Sequence, residues 1–161
     1  MSERFGSDHP RMKTIVGICS GGGHLTELTL ALKFPSVKLH KTYILTEEKS
    51  CAFINEKSLK FFSIIDPHVS VFLYLANTIQ AIKYALKLRP DIVVTTGAGI
   101  AIPFFIICKA LGAKTIYIES GARIITASKT SRVLYRFSDL FIVQSEHLLS
   151  VFPKATVGSI I

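Results

Sequence analysis

The run Cys19-Ser20-Gly21-Gly22-Gly23-His24-Leu25-Thr26-Glu27-Leu28 carries the residues best placed to do chemistry. Apolar Ile15-Val16-Gly17-Ile18 precedes it, and Leu25, Leu28, Ala31 and Leu32 follow at helical spacing. A strand, a glycine turn and a helix in that order bring backbone amides to an anion at the helix N-terminus. Ser20, Gly21, Gly22 and Gly23 therefore read as a phosphate cradle, with Glu27 beside it. No Gly-Lys-Ser/Thr follows as in a P-loop, and the glycines are contiguous rather than spaced as in the dinucleotide fingerprint. His24 opens the helix, where the positive end of the dipole disfavours an imidazolium and leaves the neutral ring that a general base needs. The plainer alternative is that His24 hydrogen-bonds the turn while Glu27 complements the dipole; both readings stand at this point.

Residues of this kind must be held by a scaffold, and the scaffold is legible downstream. Apolar segments of strand length recur at 42–45, 61–65, 91–95, 114–118 and 140–143, with helical stretches between them. Strands that are apolar throughout and alternate with helices predict an α/β domain whose parallel sheet is covered on both faces. The expectation is a single Rossmann-like, doubly wound sheet. In such sheets the site lies outside the carboxyl ends of the strands, where the strand order switches. Those ends are 20–24, 46–48, 96–99, 119–123 and 144–146, which puts Thr96, Gly97, Glu119 and Arg123 on the same rim as His24. Each also has a structural alternative: Thr46 and Ser145 as helix caps, Gly97 and Gly99 as turn glycines, and Glu119 paired with Arg123 as a bridge.

The chain has 161 residues, 49% of them hydrophobic and 19% charged, enough for one well-buried domain and too few for two large ones. A formal net charge of +8 points to an anionic partner: a phosphate-bearing substrate, an anionic membrane or a nucleic acid. Cys19, Cys51 and Cys108 are odd in number and widely spaced, which predicts reduced cytosolic thiols and no zinc site. The opening 1–11 is polar, holds no secretory signal, and is set aside as a flexible leader or artificial remnant, leaving 12–161 as the folded domain. No carboxylate cluster with ligand spacing appears, so neither a metal nor another cofactor is expected.

The longest predicted helix, 69–87, has two kinds of face. Val71, Leu75, Thr78, Ile79, Ile82, Ala85 and Leu86 form a stripe expected to lie against the sheet. On the other side Val69, Phe72, Leu73 and Ala76 are followed by Lys83 and Lys87, which suits a helix start dipping into a membrane interface while lysines meet anionic headgroups. The same layout also suits packing against a neighbouring loop. Polar residues interrupt this helix, and the apolar run 99–111 is too short for the roughly 20 residues of a spanning helix.

Four segments carry a family resemblance: Ser20-Gly21-Gly22-Gly23-His24-Leu25-Thr26-Glu27-Leu28; Thr95-Thr96-Gly97-Ala98-Gly99-Ile100-Ala101-Ile102-Pro103-Phe104; Lys114-Thr115-Ile116-Tyr117-Ile118-Glu119-Ser120 on to Arg123; and Asp139-Leu140-Phe141-Ile142-Val143-Gln144. In register they resemble the acceptor-side subunit of two-component glycosyltransferases. That family includes the membrane-anchor subunit of the eukaryotic enzyme that adds the second N-acetylglucosamine to dolichol-linked chitobiose, and bacterial capsule or exopolysaccharide subunits. The resemblance implies the N-terminal half of a GT-B glycosyltransferase. A second short Rossmann-like chain would bind the UDP-sugar, and this chain would receive a lipid-diphosphate-linked saccharide. The glycine turn is also similar to that of the peptidoglycan N-acetylglucosaminyltransferase. By that resemblance Gly21, Gly22 and Gly23 offer amides to the lipid diphosphate and His24 deprotonates the acceptor hydroxyl. Glu119 would lie close to the acceptor sugar as a second catalytic residue, while Ser20, Glu27, Thr96 and Gly97 would help bind the acceptor and Arg123 would serve phosphate. The eukaryotic relatives carry an N-terminal transmembrane anchor not seen here, so the expectation is a bacterial protein, peripheral on the cytoplasmic face of the membrane, with no nucleic-acid partner.

The implied chemistry is inverting displacement at an anomeric carbon, which needs a base on the acceptor side and stabilisation of the leaving diphosphate. Two alternatives stand beside it: a non-catalytic scaffold that activates a catalytic partner, and a self-contained nucleotide- or flavin-binding domain. At the end of the chain, Ile160 and Ile161 follow Gly158 as an apolar tail, expected to dock on the partner subunit rather than on the chain's own sheet edge.

Overall fold

The computed structural model describes residues 11–33, 37, 40–51, 59–68 and 70–160. Its strands are β1 Thr14–Ile18, β2 Lys41–Thr46, β3 Lys60–Ser63, β4 Ile92–Thr95, β5 Lys114–Ile118, β6 Leu140–Val143 and β7 Thr156–Val157. They form one sheet in the order β3-β2-β1-β4-β5-β6-β7, and every neighbouring pair is parallel. The helices are α1 Gly23–Leu32, the short α2 Glu48–Cys51, α3 Val71–Leu88, α4 Ile102–Ala110 and α5 Lys129–Leu134. Short 3-10 turns lie at Gly99–Ala101, Tyr135–Phe137 and Glu146–Ser150. The single doubly wound sheet expected from the alternation is therefore present, with its order reversing between β1 and β4.

Alternate strand residues feed two cores. Val16, Ile18, Val93, Tyr117, Phe141 and Val143 face one side, where Phe104 and Phe105 of α4 and Ala81 and Ala85 of α3 fill the layer. Each of those α4 phenylalanines is fully buried and contributes about 1.5–3 kcal/mol relative to exposure. On the other side Leu25, Leu28 and Leu32 of α1 meet Ile15, Ile44, Val94 and Ile118. Gly17 makes that approach possible, since a Cβ there would lie 2.9 Å from Leu32 Cδ1.

The amino ends of the strands are tied by two aspartates placed alike. Asp91, just before β4, accepts the Thr14 amide of β1 at 2.8 Å. Asp139, just before β6, accepts the Thr115 amide of β5 at 2.9 Å and pairs with Lys109 at 2.6 Å. The Lys109 ammonium, followed by the Thr115 amide, holds the Asp139 carboxyl down to about 2.

Three expectations are corrected here. The third strand ends at Ser63 rather than at 65, because the backbone of Ile65 turns to side chains of α3: Gln80 Oε1 accepts its amide at 2.8 Å and Asn77 Nδ2 donates to its carbonyl at 2.6 Å. Those same bonds rotate α3. Its inward face is Asn77, Ala81 and Ala85, so Val71, Leu75, Ile79, Ile82 and Leu86, expected against the sheet, lie outside instead. Thr78 is half-buried, and only Ala85 of that stripe is in the core. The third correction is the tail. Thr156–Val157 adds a seventh strand, the Gly158 amide donates to the Val143 carbonyl, and Ile160 seats among the apolar residues of its own sheet. Ile160 is thus half-buried on its own sheet, and with Gly158 and Ile142 it lines an apolar cavity of about 320 Å³. Val69, Ile161 and residues 1–10 of the expected leader lie outside the described residues, while Arg11 sits 4.0 Å from Asp91.

Candidate functional site

The chain leaves β1 for α1 on one face of the sheet and leaves β4 for α4 on the other, opening a crevice between them at the carboxyl ends. The glycine turn lies at its mouth. Gly22 caps α1 with φ 69°, a conformation that favours glycine, and its carbonyl accepts the amides of Leu25 and Thr26, each at 3.1 Å. The amides of Gly23 and His24 have no hydrogen-bond partner among the described residues, as expected of a helix start with no side-chain cap. Gly21 lies close to α2: a Cβ there would meet Ser50 Oγ and lie 2.5 Å from Glu47 Oε1, so both side chains would have to shift.

His24 is locked from two directions. Its carbonyl accepts the Thr96 hydroxyl at 2.7 Å, and its ring lies over Gly97, whose φ is 115°. A Cβ on Gly97 would sit 3.4 Å from His24 Cε1 and 3.0 Å from the Tyr117 hydroxyl. The Nδ1 atom of His24 is buried with no partner in the structure. Thr96 is itself fully buried, so its hydroxyl positions His24 instead of meeting a ligand.

The two acids expected at the site have positioning places. Glu27 Oε1 accepts the Gly121 amide at 2.8 Å and the Ser120 hydroxyl at 3.2 Å, tying α1 to the turn after β5; its Oε2 is buried and unpartnered. A carboxylate so placed does not bind phosphate. Glu119 is 1% exposed. Its Oε1 accepts from the Tyr117 hydroxyl at 3.4 Å and the Ser120 amide at 3.2 Å, and its Oε2 from the Ser128 amide at 3.4 Å and hydroxyl at 3.5 Å. Burial first, and then the Glu119 charge, push the Tyr117 phenol up, so it stays a donor to that carboxylate. Direct contact of Glu119 with an acceptor sugar is therefore not what the geometry provides; it shapes the turn through Ser120 and Ser128. No ion pair joins it to Arg123 among the described residues; Arg123 stands exposed on the loop, tethered by its own amide to the Ser120 carbonyl.

The rim thus brings together Ser20, the three glycines, His24, Thr96, Gly97, Glu27 and Glu119, while Arg123 stands to one side. Phe72, Leu73, Ala76, Lys83 and Lys87 lie apart from it on α3. Three contributors escaped the sequence reading: Tyr117, Ser128 and Glu47. Tyr117 and Glu119 share a strand face at i, i+2, and Ser128 caps α5 by accepting the Ser131 amide at 3.0 Å, so both carried a signal. Glu47 stood among the rim residues without a role; with Lys49, Ser63, Asp66, His68 and Gln80 it borders a recess of about 500 Å³ of mixed lining. Burial pushes the Cys19 thiol up, against a nucleophilic use of that residue.

A seven-stranded parallel sheet with a glycine turn and histidine at its switch point is Rossmann-like, and one part of several solved structures shares that fold. The chain superposes on MurG of Acinetobacter baumannii with a TM-score of 0.71 at 17% identity, over 84% of this chain and 42% of that one. It superposes on the UDP-GlcNAc 2-epimerase of Methanocaldococcus jannaschii with a TM-score of 0.68 at 15% identity, over 88% and 42%. These likenesses establish the fold. The family model for "Oligosaccharide biosynthesis protein Alg14 like" matches residues 63–161, and the chain belongs to that family. Among curated proteins it is 32% identical over 92 residues to the rat UDP-N-acetylglucosamine transferase subunit ALG14, and 30% identical over 92 residues to the human one. Each alignment takes in 53% of this chain and 43% of the relative, so less than half the length of these relatives is spanned.

Proposed function

We propose that residues 12–161 form the acceptor-binding, membrane-facing subunit of a heteromeric inverting glycosyltransferase. The reaction moves a hexose or N-acetylhexosamine from a UDP-sugar, held mainly by a donor-binding partner chain, to a lipid-diphosphate-linked saccharide. The biological setting is polysaccharide or glycan assembly, of the bacterial capsule or exopolysaccharide type, at the cytoplasmic face of the membrane. The observation that carries this reading is the His24 ring, packed over Gly97 with its buried Nδ1 unpartnered, beside unpartnered amides at the start of α1. The amides of Gly23 and His24, aided by the helix dipole, hold the acceptor diphosphate. An imidazole nitrogen of His24 takes the proton of the acceptor hydroxyl as its oxygen bonds to the anomeric carbon and the bond to the nucleoside diphosphate breaks. Thr96 holds the His24 backbone carbonyl and Gly97 packs beneath the ring; Glu27 and Glu119 hold the turn after β5 in register. Arg123, exposed on the loop after β5, supplies a cation for phosphate as the acceptor docks. The outward face of α3, with Phe72, Leu73 and Ala76 beside Lys83 and Lys87, meets the membrane.

A second reading, a scaffold that activates a catalytic partner, is favoured by the burial of both acids. Replacement of His24 by alanine in the co-purified pair separates the two. The proposal expects the pair to survive and turnover to fall about 10²–10⁴-fold. Unchanged turnover would leave the scaffold.

A further inference from the structure

The loop that joins β5 to α5 carries an apolar tip that the mechanism does not use. Residues 122–126 are all exposed, and within them Ile124 is 57% and Ile125 74% exposed. The tip is nevertheless held firmly at its base. Glu27 binds Ser120 and Gly121 on one side, Glu119 binds Ser128 on the other, and the Arg123 amide donates to the Ser120 carbonyl at 2.9 Å. Two isoleucines on a braced loop add nothing to the chain's own core, and their neighbours Arg123, Lys129 and Arg132 are exposed cations. α3 shows the same combination: Phe72 is 86% exposed, and Lys83 and Lys87 are exposed further along. Phe72, in the first turn of α3, and the loop tip both lie toward the carboxyl ends of the strands, and α3 and α5 each pack on α4.

We propose that Ile124 and Ile125 insert into an anionic lipid surface, giving a second contact beside the one on α3 and setting the glycine turn against the bilayer. This rests on the membrane-facing reading above. Charge decides the occupant: an apolar loop tip that carries Arg123 and leads into the exposed Lys129 and Arg132, on a chain of net charge +8, matches anionic headgroups over an acyl layer. The consequence is that a lipid-diphosphate acceptor reaches the His24 turn without leaving the membrane.

The chain contains no tryptophan, so Ile125→Trp and Phe72→Trp each create a unique fluorophore at an exposed position. Each variant of the full chain is mixed with phosphatidylglycerol vesicles bearing brominated acyl chains, and with neutral phosphatidylcholine vesicles as control. The proposal expects a blue shift and quenching of the indole fluorescence of the Ile125→Trp protein in the anionic vesicles, weakened by salt. Quenching in the Phe72→Trp protein but not in the Ile125→Trp protein overturns the loop insertion and leaves the α3 contact standing. Quenching in the Ile125→Trp protein alone supports the loop and removes α3. Quenching in neither protein overturns both contacts.

Discussion

Gly97 shows how tightly the ring of His24 is held. Its φ of 115° disfavours any side chain, and a methyl group there would crowd the Tyr117 hydroxyl at 3.0 Å while packing against the imidazole at 3.4 Å. Gly97→Ala is therefore expected to destabilise the fold by about 1–3 kcal/mol and to displace the His24 ring, seen as a changed imidazole NMR shift beside a lowered denaturation midpoint. Glu27 gives a contrast between two substitutions. Glu27→Ala leaves the Gly121 amide without its acceptor and should cost about 1–3 kcal/mol in urea unfolding, whereas Glu27→Gln keeps an acceptor oxygen and should lose much less. Equal losses would mean that the charge, not the hydrogen bond, matters. The glycine turn and His24 were legible because their meaning is local: a strand, three glycines and a helix in sequence. The place of Glu27 was not, because its partner lies 94 residues away in the chain.

Helix α3 was legible as a helix but not in its rotation. Counting apolar residues sent Val71, Leu75, Ile79, Ile82 and Leu86 inward, yet buried Asn77 and the two alanines claimed that side. Hydrogen bonds from Asn77 and Gln80 to the backbone at the end of β3 and beyond outweighed the apolar stripe, and small alanines allowed close approach to α4. Asn77→Leu should thus destabilise by about 1–3 kcal/mol although it adds apolar surface, because it strips the Ile65 carbonyl of its donor. Asp139 contributes a pH term. Its native pKa of about 2 lies below the ordinary 3.8, so the unfolded chain binds more protons between those values and stability falls as pH drops from about 4 toward 2. The pair with Lys109 is partly exposed, so the loss is no more than about 1 kcal/mol, and Asp139→Asn should flatten that part of the stability profile. The tail follows the same logic. Removing 158–161 takes away the Gly158 bond and the seat of Ile160, and should lower Tm by about 2–4 °C in scanning calorimetry. An unchanged Tm would return the tail to a role outside its own sheet.

At the scale of the whole molecule the parallel sheet was readable from the alternation of apolar strands and helices, whereas the strand order, with its switch between β1 and β4 beside the glycine turn, depends on long-range pairing that no local pattern carries. β7 was hidden because two exposed residues, Thr156 and Val157, carry too little pattern to announce a strand. Net charge +8 and the outward face of α3 predict that the protein sediments with anionic vesicles and is released by high salt, and that reversing Lys83 and Lys87 to glutamate reduces the bound fraction. The measurement nearest the central claim is equilibrium binding of two probes to the chain by itself: farnesyl-diphosphate-linked N-acetylglucosamine and UDP-N-acetylglucosamine. An acceptor-binding half predicts saturable binding of the farnesyl diphosphate compound, weakened by His24→Ala and not displaced by the nucleotide sugar. Tight binding of UDP-N-acetylglucosamine with none of the lipid diphosphate would contradict it.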